Sequence, residues 1–424
     1  MKTLKTILIG AGNRGRTYTN HMKDMGFEIV AVADLEPARR EYIKDVHGLS
    51  DDMCFETWED LLKLPKFADV AVIATSDSMH YAPAMKAIEQ GYDILLEKPV
   101  APTPQECADI ANAAKEKGVK MLVCHVLRYA PFFTTIKEFI TAGKLGKVIS
   151  IHHSECVGNV HQSHSYVRGN WCNTERSSCM LLAKSCHDID IIQWLMDSKC
   201  TKVHSFGSLS YFKEENAPEG APDYCIDGCP HADDCCYNAI RIYLNNENEI
   251  GCRNYCTSMV NPTDEQVIDV LKNTQYGKCV FKCDNDVVDH QVVNLEFENG
   301  GVASFNMCAF NKGGRFIRVM GTEGELYGDM RENTIKYFNF KTRTFETTMP
   351  TGKKLNDTIV GGHGGGDRGI VSALYNYLVD GSKDEWLSEI EISVKNHLAT
   401  FAAEKSRLEN TVVDVTAYEK EYLK

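Results

Sequence analysis

The segment ILIGAGNRGRTY, residues 7–18, limits the fold more than any other in this chain. A β-rich apolar run ends in Gly10, Gly12 and Gly15, and a helical pattern follows at once. The first glycine permits a tight turn, the second lets backbone approach a pyrophosphate, and the third lets helix and strand pack closely. Further short apolar runs follow, EIVAVAD, DVAVIAT, YDILLEKP and KMLVCH, separated by helical patterns such as residues 13–25, 79–90 and 104–118. That alternation predicts a parallel sheet with helices on both faces. Asp34 ends the second run, 19 residues beyond Gly15, where a carboxylate accepts hydrogen bonds from an adenosine ribose. A dinucleotide is therefore expected on Gly10, Gly12, Asn13, Arg14, Gly15 and Asp34. Asp34 favours NAD over NADP by repelling a 2′-phosphate, while Arg39 and Arg40 either cover a helix face or reach toward such a phosphate.

The pattern changes after Pro131. A helical stretch, FFTTIKEFITAGKLG, leads into KVISIHHSEC, and residues 286–348 alternate apolar and polar around an NGG turn signal. With 424 residues the chain exceeds one ordinary core, so three parts are expected: a dinucleotide-binding domain over 1–128, an α+β domain over 129–366, and helices over 367–424 returning to the first domain. The second part carries a Cys-rich insertion at about 211–285. A formal net charge of -13 without a lysine-arginine run argues against nucleic acid and an acidic membrane surface. The first apolar run starts close to Met1 and no run approaches the ~20 residues that cross a bilayer, so a cytoplasmic protein is expected. Seventeen cysteines over the whole chain fit a reducing compartment.

The stretch LLAKSCHDIDIIQW, residues 181–194, places Lys184, His187 and Asp188 three and four positions apart, one stripe if the segment is a continuous helix. Either the stripe faces solvent, with Lys184 paired to Asp188, or it lines a pocket where protons move.

ATSDSMH, GYDILLEKPVA, RYAP, GKLGKVISI and HDIDIIQWLM occur in the order and spacing of the Gfo/Idh/MocA oxidoreductases, and the chain resembles that family over nearly its whole length. The resemblance implies an α/β fold, an N-terminal Rossmann domain plus a C-terminal α+β domain with a large, mostly antiparallel sheet that forms homo-oligomers. It also implies NAD-dependent hydride transfer at a hydroxyl carbon of a sugar, polyol or glycoside. By matching position Lys98, held by Glu97, sits between nicotinamide and substrate, where an ammonium stabilises developing alkoxide. His187 becomes the general acid/base, Thr75 and His80 fall near the cofactor, and Arg128 either lies near the cofactor or packs between the domains. Many members carry an aspartate one turn before that histidine; here Ala183 stands there, and the next residue, Lys184, is a candidate substitute.

Two further features stand out. CIDGCPHADDCC places Cys225, Cys229 and Cys235 near His231, a candidate structural zinc site, or reduced thiols in a loop. GGHGGGDRGI, residues 361–370, reads as a loop presenting His363 to substrate, with Asp367 as a helix N-cap. Two alternatives to a dehydrogenase are carried forward: an NAD-dependent glycosidase working by transient oxidation and elimination, and a non-catalytic sensor of NAD or sugar.

Overall fold

In the computed structural model the described residues are 2–245, 252–259, 261–350, 362–382 and 386–423. Six parallel strands, β1 (Leu4–Ile9), β2 (Phe27–Ala33), β3 (Cys54–Phe55), β4 (Val70–Ile73), β5 (Asp93–Leu96) and β6 (Met121–Val123), lie in the order β3-β2-β1-β4-β5-β6. The four expected turns of apolar sequence after the glycine run are β2, β4, β5 and β6; the two-residue β3 is too short to leave a periodic signal. Strand order reverses between β1 and β4, which opens a crevice at their carboxyl ends. Ile7, Val72, Ile94 and Leu95 are fully buried, as strands covered on both faces require.

The second sheet has nine strands: β7 (Val148–Cys156), β8 (Cys200–Ser208), β9 (His290–Phe297), β10 (Val302–Cys308), β11 (Gly314–Gly321), β12 (Gly324–Asp329), β13 (Thr334–Asn339), β14 (Thr344–Thr348) and β15 (Val413–Asp414). Their order is β14-β13-β12-β11-β7-β10-β9-β8-β15, with β7 and β10 the parallel pair among them. One face is apolar and the other open. Gln291, Val293, Leu295 and Phe297 of β9 point inward, whereas Val292, Asn294 and Glu296 point out.

The helix Cys186–Met196 lies under the inner face, and ten of its eleven residues are buried, so its polar side chains cannot face water. The expected continuous helix is interrupted: Met180–Ala183 forms one turn, Ser185 at φ -99° and ψ 7° leaves the helical path, and Cys186 starts anew. Lys184 therefore departs from the stripe of His187 and Asp188.

Of the C-terminal helices, Gly366–Val379 packs on the first domain, where the Tyr375 ring meets Phe27 edge-on and its hydroxyl donates to the Lys2 carbonyl. Ile390–Glu409 instead runs across β8 and beside the helix Pro104–Lys117, touching both domains. The insertion folds around a small core of its own, in which Cys225, Cys252 and Cys256 pack with Ile242, Val267 and Leu271. All seventeen cysteines carry free thiols.

Candidate active site

At the crevice, Gly10 adopts a positive φ of 90°, and a Cβ there would lie 2.6 Å from the Ala74 backbone. Gly15 is tighter, since a Cβ would stand 2.1 Å from the Gly10 carbonyl oxygen. Gly12 faces open space, its nearest neighbour Arg39 Nη1 at 3.9 Å, so only here is backbone left accessible to a ligand. A cavity of about 800 Å³ starts at this turn, runs past Asp34 and Thr75, and is roofed by Trp171 and Ser177 of the second domain. Trp171 Nε1 and Ser177 Oγ both donate to the buried Asp77, at 3.0 and 3.3 Å, which fixes the roof to the loop after β4. The open turn, the acidic residue at the end of β2 and the cavity's extent fit a dinucleotide.

Asp34 accepts from the backbone N–H of Ala11 (2.7 Å) and Glu36 (2.9 Å), and Arg39 lies 3.8 Å from it. Arg40 is turned to the carbonyls of Asp34 and Leu35. The guanidinium of Arg14 is taken by protein groups: it donates to Glu97 (2.7 Å) and to Asp367 (2.5 Å), and so ties the glycine turn to β5 and to the helix Gly366–Val379. Burial alone would raise the Glu97 carboxyl, but the charges of Arg14 and Lys98 and the hydrogen bonds from Tyr18 and Arg14 outweigh it and hold the group below its ordinary range.

Lys98 leaves the end of β5 and its Nζ donates to the Ala183 carbonyl oxygen at 2.7 Å. That bond brings the ammonium to the break before His187, which is buried and has no hydrogen-bond partner at Nδ1. Burial, then the charges of Lys98, His125, His363 and Arg315, push the His187 imidazole well below its ordinary value, so it is neutral near neutrality. Its ring centroid lies 5.8 Å from that of His125 and 5.8 Å from that of His363. His363 has a positive φ of 43° and its Nδ1 faces Asp367 at 3.2 Å. Asp367 is thus engaged by Arg14 and His363 and makes no N-cap bond; Gly365 occupies that position. Gly361 of the glycine-rich segment lies outside the described residues.

Other expected site residues are engaged by protein groups. Lys184 pairs with Glu155 at 3.4 Å and not with Asp188, which is buried against Arg315 and His153. His80 is fully buried, its ring nitrogens 2.7 Å from the Pro99 carbonyl and 3.1 Å from that of Thr75, so it braces two loops from behind. Arg128 is buried in a bidentate pair with Asp190, both bonds 2.7 Å, and Asn396 completes it. Both side chains are thus held by protein groups. The zinc expectation for Cys225, Cys229 and Cys235 is not supported: among the described residues no group of three or more His, Cys, Asp or Glu has metal-binding geometry. Cys225 is core, and His231 is turned to the Glu219 carbonyl. Sequence reading missed Glu155, Arg315, His125 and Asp77; the alternation in HHSEC could have placed Glu155 with His153 on the inner face, whereas Arg315 gave no signal.

The chain matches the model of an oxidoreductase family with an NAD-binding Rossmann fold over residues 4–125 and that of its C-terminal alpha/beta domain over 137–393. YteT of Bacillus subtilis, an oxidoreductase by name, is 24% identical over 371 residues, 82% of each chain. The 2,7-anhydro-N-acetylneuraminate hydratase of Mediterraneibacter gnavus is 28% identical over 208 residues, which span 49% of this chain and 53% of that protein. In structure, levoglucosan dehydrogenase in complex with NADH and levoglucosan is similar with a TM-score of 0.70 at 18% identity, over 98% of this chain and 100% of that one. With both domains matched in order, the chain belongs to the Gfo/Idh/MocA family of NAD-binding oxidoreductases.

Proposed function

We propose that this enzyme oxidises a secondary hydroxyl of a sugar or polyol, with Lys98 and His187 as the catalytic residues and Lys184 assisting. The observation that carries the proposal is the approach of Lys98 to the helix break at Ala183, which makes it the largest charge acting on buried, neutral His187. When bound, NAD accepts the hydride from the hydroxyl carbon. His187, kept neutral, takes the hydroxyl proton, and Lys98 orients the hydroxyl and stabilises the alkoxide as the C–H bond breaks. Glu97, pinned by Arg14 and Tyr18, holds the Lys98 backbone N–H at 2.6 Å and so fixes where the lysine starts. Asp34 and the open backbone at Gly12 receive the adenosine ribose and the pyrophosphate. Incubation with NAD and a panel of sugars and polyols, with NADH followed by absorbance, tests this. NADH formation that is lost in K98M while NAD still binds is expected; NADH formation equal in K98M and wild type overturns it.

A second reading is favoured by His363. Held by Asp367 and facing His187, it supplies another proton-transfer group, as transient oxidation followed by elimination needs, and a hydratase stands among the relatives. Release of an aglycone from a glycoside without net NADH would select this reading. Subunit assembly belongs to the same proposal: the outer face of the nine-stranded sheet exposes Ile149, Phe206, Val292 and Val302, an apolar surface suited to a second copy.

A further inference from the structure

The Cys-rich insertion is distant from the glycine turn in the chain and beside it in the fold. Its helix Cys252–Thr257 buries Cys252 and Cys256 in the insertion's own core, against Ile242, Val267 and Leu271. Tyr255, half-buried, and Ser258, exposed, are not part of that core.

Both meet the first domain. Asn13, which opens the helix after the glycine turn, donates from Nδ2 to the Tyr255 hydroxyl at 3.4 Å, and Arg39 donates from Nη2 to Ser258 Oγ at 3.5 Å. These bonds are long, and each alone is weak. Asn13 nonetheless stands at the helix N-terminus, where backbone N–H groups receive a pyrophosphate, and Arg39 stands 3.8 Å from Asp34, the acid placed for the adenosine ribose.

Two further observations put the insertion at the same spot. Gln275 lines the cavity of about 800 Å³ together with Gly12, Asn13 and Arg39. Burial raises the Tyr255 phenol above its ordinary value, and the next influence on it is the opposing charge of Arg14, the residue after Asn13. From behind, the Tyr255 ring is backed by His164 at 6.2 Å between centroids, and His164 is itself stacked on Tyr276 at 5.3 Å and bonded to the Tyr243 hydroxyl at 3.0 Å. The contact with the turn therefore comes from a packed aromatic group. By linkage, whatever affinity a docked insertion adds to a nucleotide, the nucleotide adds to the docking.

We propose that the insertion is the second half of the cofactor site, with Tyr255 and Ser258 as positioning residues that hold Asn13 and Arg39 for the ADP-ribose half of NAD. The glycine turn and Asp34 supply contacts to that half, and the insertion fixes the two side chains that flank them at the rim. The proposal rests on the placing of the pyrophosphate at Gly12 and not on hydride transfer, since ADP-ribose carries no nicotinamide.

The test measures binding of NAD and of ADP-ribose to the full chain by calorimetric titration, and hydrogen exchange of Cys252–Thr257 with and without ADP-ribose. In Y255F/S258A both dissociation constants are expected to rise about tenfold, the scale of two weak hydrogen bonds, with the melting temperature of the ligand-free protein unchanged. ADP-ribose is expected to slow exchange in Cys252–Thr257 of the wild type and not of the double variant, a difference that a merely structural role would not produce. If Y255F lowers the ligand-free melting temperature, S258A alone, at an exposed side chain, carries the same expectations with a rise of about threefold. Dissociation constants equal to those of the wild type, or exchange indifferent to ADP-ribose, overturn the proposal. G12A separates it from the placing of the pyrophosphate: affinity lost in G12A but kept in Y255F/S258A overturns the role of the insertion alone, and affinity kept in both overturns the placing as well.

Discussion

Lys98 and His187 are 89 positions apart in the chain, and the hydrogen bond from Lys98 to the Ala183 carbonyl brings the ammonium close enough for its charge to act on the imidazole. Replacing Lys98 with Met leaves that carbonyl in place and removes the charge; kcat is expected to fall about 10²- to 10⁴-fold, measured under saturating NAD. Because His187 is held well below its ordinary value, its proton is bound only in acid, and the acid limb of the kcat/KM profile is expected below the 6.5 of a free imidazole. A limb at or above that value would remove His187 as the base. The glycines separate fold from ligand. G15A forces a Cβ to within 2.1 Å of a carbonyl oxygen and is expected to lower the melting temperature, whereas G12A folds normally and loses NAD affinity, measured by titration. The glycine turn was legible in the sequence because it is a local motif, whereas Lys98 and His187 were singled out by the family resemblance. Glu155 and Arg315 were not, because their pairing is a register between strands some 160 residues apart, which no local pattern encodes.

At the scale of elements, the sequence marked the parallel strands well, since each is a continuous apolar run between turns. It failed at the break between Ala183 and Cys186: the residues there are compatible with helix, yet Ser185 leaves the helical path, with bonds from Lys98 and Lys184 to distant parts of the chain beside it. The insertion was illegible for another reason. Its cysteines allow either a zinc site or reduced thiols in a loop, and Cys225, Cys252 and Cys256 are apolar filling for a core too small to show periodicity. Chelation by EDTA is accordingly expected to leave the melting temperature unchanged, as calorimetry can check; a fall would restore the metal reading.

For the molecule as a whole, the buried group of Arg128, Asp190 and Asn396 joins the segment after β6 to the helices Cys186–Met196 and Ile390–Glu409. R128M strands Asp190 without its cation and is expected to cost about 3–5 kcal/mol in denaturant unfolding. Acid works on the same scale. Burial lowers His397 to about 3 and His164 to about 4. The unfolded chain therefore takes up protons that the fold refuses: this stability is complete above the ordinary 6.5 and is lost as pH falls toward those folded values, so melting temperature should decline through that window.

β7 gives neighbouring residues opposite duties. His153 and Glu155 look in toward the chemistry, while Ile149 and His152, on the same strand, look out. Inserting or deleting a single residue in this strand would exchange the two sets at once, so the register of β7 ties the wall behind the proposed reaction site to the face proposed to meet a second copy.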